Sequence, residues 1–190
     1  MSTDSQQLVR LPPLCLWLTG LPSSGKTTTA SALMEVWGER AIWLDGDKDS
    51  QFLSGDRGFS SEDRDFTGRR TAWVASLIVR AGGLVICSTI SPYRATRAAA
   101  RRFFEPGQFW EVFIDAPLEI CRQRDVKGLY QRAQRGEIRN LTGHDDPYEA
   151  PRTPELHLDA FGKSVTDNVR SLRERVERLS LFAPPATTKQ

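Results

Sequence analysis

The sequence predicts an α/β fold, a mostly parallel β-sheet with helices on both faces, and three observations predict it. Short apolar runs alternate with stretches of helical spacing, the pattern of successive βα units. A glycine-rich turn, Gly20 to Thr27, joins the first apolar run to the first helical one. A long polar stretch, Asp125 to Pro154, then interrupts the rhythm once. The 190 residues, 39% hydrophobic and 26% charged, suit one domain with its own core.

Each element has its own justification. Met1 to Pro13 reads as a leader. Leu14 to Thr19 is the first strand, and Ala41 to Leu44, Leu84 to Ser88 and Trp110 to Ile114 are further strands. Strands this apolar are buried on both faces, as parallel strands under two helical layers must be. Thr28 to Trp37 places Ala30, Leu33, Met34 and Trp37 on one helical face. Thr71 to Arg80 does the same with Ala72, Ala75 and Val79, and Gly82-Gly83 ends it. Ala95 to Phe104 is a further helix, rich in Ala and Arg. Val165, Val169, Leu172, Val176 and Leu179 make a long C-terminal amphipathic helix, and Ala183 to Gln190 reads as a tail. The expected organisation is therefore a single domain over residues 14–182. Within it, residues 125–154 carry few apolar side chains but Gly128, Gly136, Gly143, Pro147 and Pro151. A polar stretch of that length inside a compact domain suits a lid that excludes water from a reaction.

Composition excludes several classes. The formal net charge is +2, too small for a broad polyanion-binding surface. Arg97, Arg101 and Arg102 sit at alanine-rich helical spacing and read as a solvated face, so no nucleic-acid partner is expected. No run approaches the ~20 apolar residues of a membrane span, and the first ten residues lack a signal-peptide core. Cys15, Cys87 and Cys121 are an odd, unpaired set, which suits a reducing, cytoplasmic setting.

The turn Gly20-Leu21-Pro22-Ser23-Ser24-Gly25-Lys26-Thr27 is a complete P-loop with a strand before it and a helix after it. Gly20 and Gly25 let backbone N–H groups turn toward phosphate oxygens, and the helix N-terminus adds partial positive charge. Lys26 is expected on the β- and γ-phosphates of ATP, and the Thr27 hydroxyl on Mg²⁺. Asp45-Gly46-Asp47 closes the second strand, where ligands of open parallel sheets bind. The tripeptide is either a turn or a pair of working carboxylates, one toward an attacking hydroxyl and one, Asp45, toward the metal.

Six motifs in order carry a resemblance. They are GLPSSGKTT from Gly20, LDGD from Leu44, GFSSEDR from Gly58, ISPYRA from Ile90, EVFIDAPLEICRQRDVKGLY from Glu111 and GHDDPYEAP from Gly143. From about Leu14 to Leu181 the chain resembles the adenylyl-sulfate kinases. The resemblance implies a P-loop kinase fold, ATP and Mg²⁺, often a homodimer, and phosphoryl transfer to the ribose 3′-hydroxyl of adenylyl sulfate. It also implies roles. Ser23, Ser24, Thr28 and Arg124 would join the P-loop glycines, Lys26 and Thr27 on ATP. Asp47 would engage the 3′-hydroxyl, Arg64 the acceptor phosphate and Phe59 its base. Ile90 and Ser91 would wall the acceptor site, and Lys127 would be a lid cation near the transferring phosphoryl.

The chain departs from the family pattern around the acceptor. Where the family has an arginine shortly after the Asp-Gly-Asp, this chain has Ser50. Thr67 stands for an acceptor-binding asparagine, and Leu141 for the second aromatic platform under the base. A lost charged hydrogen bond is worth about 1.5–3 kcal/mol. A lost stacking platform is worth about 1–3 kcal/mol. Two acceptors follow: adenylyl sulfate, with Lys48, Arg69 or Arg70 compensating, or a different nucleotide such as cytidine diphosphoramidate, whose smaller base needs less stacking area.

Overall fold

The computed structural model of the protein describes residues 11–46, 48, 49, 52 and 60–182. Five parallel strands form one sheet: β1 (Leu14–Thr19), β2 (Ala41–Asp45), β3 (Leu84–Ser88), β4 (Phe109–Asp115) and β5 (Leu156–Asp159), in the order β2-β3-β1-β4-β5. The helices are α1 (Lys26–Trp37), α2 (Ser61–Arg80), α3 (Arg94–Arg101), α4 (Leu118–Arg124), α5 (Leu129–Gln134) and α6 (Val165–Phe182). The central strand β1 is buried along its whole length because both of its faces are covered. Leu14, Leu16 and Leu18 point to a core built with Leu33 and Trp37 of α1 and Leu172 and Val176 of α6. Cys15 and Trp17 point the other way, to Ala72, Ala75 and Val79 of α2 and Ala100 of α3.

Three sequence expectations change here. The strand β5 was not expected. Its four residues alternate, Leu156 and Leu158 buried, His157 and Asp159 exposed, and a pattern so short does not stand out after a polar stretch. The helix expected from Thr71 begins at Ser61, ten residues earlier. Ser60 caps it, accepting the Asp63 N–H (3.1 Å) and donating to the Asp63 carboxylate (2.7 Å). Its first two turns carry charges, and apolar periodicity is silent there. The lid stretch is not merely polar. Tyr130 and Ala133 of α5, with Ile138 and Leu141, pack with Ala116 and Cys121 into a third small core.

A fourth expectation, the solvated arginine face of α3, is corrected. Arg97 is 2% exposed and ion-pairs with Glu111 of β4. Its other nitrogens donate to the Ser91 carbonyl (2.7 Å) and the Glu149 carbonyl (2.6 Å). Arg101 forks onto the Glu155 carboxylate at 2.6 and 2.8 Å. Only Arg102 of the three stays in water. Of the α3 alanines only Ala100 is buried, in the cluster with Ala72, Ala75 and Val79 of α2.

Candidate active site

The P-loop is held by its neighbours. A Cβ on Gly20 would lie 2.5 Å from the Ile114 carbonyl oxygen and 2.8 Å from Ser24 Oγ, so only glycine lets β4 pass so close. Gly25 begins α1 with a φ of 107°, which L side chains rarely adopt. Lys26, buried, donates to the carbonyls of Gly20 (2.9 Å) and Leu21 (2.7 Å). The ammonium is thereby drawn over the mouth of its own loop. Ser24 Oγ is buried without a hydrogen-bond partner among the described residues, while Thr27 and Thr28 open to solvent. Arg124, at the end of α4, donates to the Ala160 carbonyl (2.9 Å) and reaches the Ser24 carbonyl at 3.5 Å.

Asp45 ends β2 in a buried position. Its N–H donates to the Asp49 carboxylate (2.7 Å), and the Asp49 N–H returns to the Asp45 carbonyl (2.8 Å). Gly46 N–H donates to the Ser88 carbonyl at 2.9 Å, which brings Gly46 to the end of β3. Asp47 and Phe59, expected on the acceptor, lie outside the described residues.

The acceptor half is built by α2 and the loop after β3. Arg64 donates to the Asn140 carbonyl (2.7 Å), tying α2 to the lid. Burial lowers its pKa, and the charges of Asp146, Tyr93 and Asp145 oppose that. Ser91 adopts a left-handed φ of 41°, uncommon for a residue with a side chain. Three contacts hold the loop there: Arg97 on the Ser91 carbonyl, and Thr19 Oγ1 on the carbonyls of Ile90 (2.7 Å) and Ser91 (3.3 Å).

Many residues of the motifs from Ile90 and Gly143 bind each other. Tyr93 donates to the Asp146 carboxylate at 2.7 Å, and the Arg94 N–H to Glu149 Oε2 at 2.8 Å. Glu149 N–H donates to the Pro92 carbonyl (2.9 Å), and Tyr148 meets Thr19 Oγ1 at 2.9 Å. The lid end is thus lashed to the strand ends. Thr19, Arg97, Asp146 and Tyr148 are the site-building residues that sequence reasoning missed, and the tight run of polar residues in both motifs was the available signal.

This lashing carries a pH prediction. Burial together with Asp146 pushes the Tyr93 phenol up to about 12, and burial pushes Tyr148 up to about 12. Tyr130, the third and last tyrosine, is raised further by burial. An unfolded phenol loses its proton near ~10. Between these values the folded chain holds more protons than the unfolded one, so stability is full below the unfolded pKa and falls as pH rises toward 12. A spectrophotometric titration should show tyrosinate only as the far-ultraviolet dichroism collapses. Tyrosinate forming at the unfolded pKa in a chain of native dichroism would contradict it.

One cavity of about 680 Å³ joins the two halves. Ser23, Ser24, Gly25, Lys26, Thr27, Thr28 and Arg124 line one end, and Arg64, Thr67, Ile90 and Ser91 the other, with Lys127 at the lid. Gly20, Asp45 and Leu141 do not line it. Gly20 shapes the loop from behind, and Asp45 lies beneath Gly46, which does line it. Leu141 is 2% exposed and spent on the lid core, so no open face of its side chain is offered to a base. Lys163 and Asn168, near the start of α6, line the nucleotide end and carried no sequence signal.

Residues 12–159 match the family model described as adenylylsulphate kinase. The chain belongs to that family. Adenylylsulphate kinases are ATP-dependent phosphotransferases with a hydroxyl acceptor, and the two-ended cavity has the form such a reaction needs. The chain is 47% identical over 163 residues to the adenylyl-sulfate kinase of Aeromonas hydrophila, covering 84% of this chain and 83% of that one. It is 44% identical over 176 residues to the bifunctional enzyme NodQ of Rhizobium sp. (strain N33), covering 91% of this chain but 27% of that protein. The Mycobacterium tuberculosis APS kinase CysC, solved in complex with AMPPNP and APS, superposes with a TM-score of 0.81 at 36% identity, covering 91% of this chain and 99% of that one. Among the described residues no helix is long and apolar enough to cross a membrane.

Proposed function

We propose that the protein transfers the γ-phosphoryl group of ATP to the 3′-hydroxyl of adenylyl sulfate, giving 3′-phosphoadenylyl sulfate and ADP. One observation carries this reading: the P-loop and the acceptor-side residues Arg64, Thr67, Ile90 and Ser91 open into the same cavity. Phosphoryl transfer needs two ligands held in line and charge neutralised between them, rather than covalent help from the protein. The P-loop N–H groups and Lys26 hold the polyphosphate, Arg124 borders it, and Lys127 brings a second cation from the lid. Arg64 presents a guanidinium to the acceptor end. Asp47, by its place after β2, is assigned the 3′-hydroxyl proton.

The Thr27 hydroxyl lines the cavity as a hard oxygen donor, and Asp45 is a buried carboxylate behind Gly46 that would act on Mg²⁺ through water, since this ion binds through few protein oxygens and several waters. Bound there, the ion would neutralise charge on the phosphate oxygens. The assembly proposed is a homodimer, and the setting is cytoplasmic, which suits three buried free cysteines.

The test incubates the full chain with Mg²⁺-ATP and adenylyl sulfate, cytidine diphosphoramidate, CDP or AMP, and follows ADP release and product mass. Adenylyl sulfate alone should be converted efficiently. Preference for a cytidine acceptor would overturn the acceptor assignment and leave the phosphotransferase intact.

A further inference from the structure

The nucleotide end of the cavity holds one polar side chain that the fold uses only in part. Asn168 sits in the first turn of α6, 5% exposed, and lines the cavity. Its Nδ2 donates to the Asp159 carbonyl at the end of β5 (2.7 Å). A carbonyl can only accept, so this contact fixes which way the amide faces. Oδ1 has no hydrogen-bond donor among the described residues, and it is not sealed from the cavity. An acceptor left open on a side chain otherwise buried calls for a ligand that donates to it.

The surroundings suit a base. Arg124 donates to the Ala160 carbonyl (2.9 Å) and reaches the Ser24 carbonyl (3.5 Å), so its guanidinium bridges the P-loop and the loop after β5. A planar guanidinium is a platform on which an aromatic ring stacks. Val126 and Val165 line the same cavity, exposed apolar side chains that none of the three cores uses. Lys163 is exposed, a point charge on a flexible stem. Of these side chains Asn168 alone carries a donor and an acceptor together.

An amide held one way round selects between purines. The Asp159 carbonyl takes one of its two hydrogens, which leaves Oδ1 and the second hydrogen for a ligand. Adenine offers an amino donor beside a ring-nitrogen acceptor, the pattern that an asparagine amide pairs with. A 6-oxopurine presents an acceptor where adenine donates. To match it the amide would have to turn over, and Oδ1 would then meet the Asp159 carbonyl, acceptor against acceptor.

We propose that Asn168, oriented by the Asp159 carbonyl, reads the 6-amino group of the phosphoryl donor and selects adenine over 6-oxopurine nucleotides. The inference rests on the donor half of the function proposed above, names the residue that sets its base selectivity, and is independent of the acceptor.

The experiment is calorimetric titration of the full chain, with Mg²⁺ and without acceptor, using ATP, ITP and purine riboside triphosphate, which carries only hydrogen at position 6. The wild type should bind ATP about ten- to a hundredfold more tightly than ITP, the discrimination of one well-paired amide, with purine riboside triphosphate between them. In Asn168→Ala the ATP-to-ITP ratio should fall toward one. Asn168→Ser, which keeps a small polar group in the first turn of α6, gives the same readout should the alanine variant fail to fold. Equal wild-type affinity for ATP and ITP would overturn the proposal. So would a variant that weakens all three nucleotides by the same factor, the mark of a side chain that only fastens the loop after β5. A chain that binds none of the three would overturn the donor reading along with it. With no acceptor present, a failed acceptor assignment leaves the result untouched.

Discussion

Replacing Lys26 by alanine should lower the rate of ADP formation by on the order of 10²–10³-fold, the range seen when one preorganised charge or donor is removed from a transition state. The geometry sets the expectation. Lys26 opens α1 in the P-loop, and its ammonium is held by two loop carbonyls at 2.9 and 2.7 Å. Two donations fix the position of the charge before any substrate arrives, so little reorganisation is left for the reacting complex. Alanine removes the charge and leaves the carbonyls of Gly20 and Leu21 without that donor, a structural cost of about 1–3 kcal/mol. Lys26→Arg should not rescue the rate. A planar guanidinium is too broad for the position of a compact ammonium, and its fork would contact the loop differently. Calorimetric titration with ATP and steady-state rates separate binding from catalysis. A variant that binds ATP tenfold more weakly but keeps its maximal rate would show that Lys26 holds the nucleotide without acting in the transfer.

What could be read from the sequence was what is local. The P-loop is contiguous, and a strand before it with a helix after it are two more local facts. The strands β1 and β3 were visible because burial on both faces makes them largely apolar, and β4 because Val112, Phe113 and Ile114 run together after Glu111. The first half of α2 was hidden from periodicity, yet Ser60 followed three residues later by Asp63 is a capping signature that the sequence did contain. β5 was hidden because two buried leucines in four residues fit almost any structure.

The site was legible by position and less so by side-chain role. Most nucleotide-end residues and four acceptor-end residues line one cavity, because motifs at strand ends converge wherever the strands are parallel. Leu141 went elsewhere for a reason invisible in one dimension. The lid needs an apolar interior to hold its shape, and Leu141 supplies part of it beside Tyr130 and Ile138. Arg97 was misread for the opposite reason. A long cation between alanines looks solvated until the carboxylate it pairs with, fourteen positions away on β4, is brought beneath it.

That pair sets the second large effect. Arg97→Ala should destabilise the fold by about 3–5 kcal/mol, the cost of leaving one member of a buried ion pair unpaired. In a chain of this size each kcal/mol moves the midpoint by about 2–4 °C, so the melting temperature should fall by on the order of 10 °C. Glu111, with a side chain 14% exposed, would keep its charge with little water to solvate it. The Glu149 carbonyl would lose the Arg97 donor at the same time, and the Ser91 carbonyl would keep only the longer contact from Thr19 Oγ1 (3.3 Å). The double variant Arg97→Met, Glu111→Leu removes both charges and should recover most of the stability, since apolar replacements of buried pairs are often neutral. It should not recover the acceptor KM. Ser91 is held in its left-handed conformation partly by the Arg97 guanidinium, and methionine has nothing to donate. Thermal melts with acceptor titrations on the single and double variants therefore separate two jobs of one side chain. If Arg97→Ala melts within a degree or two of the wild type, the buried pair contributes no net stability. If the double variant restores the acceptor KM as well, Arg97 does not position the Ser91 loop.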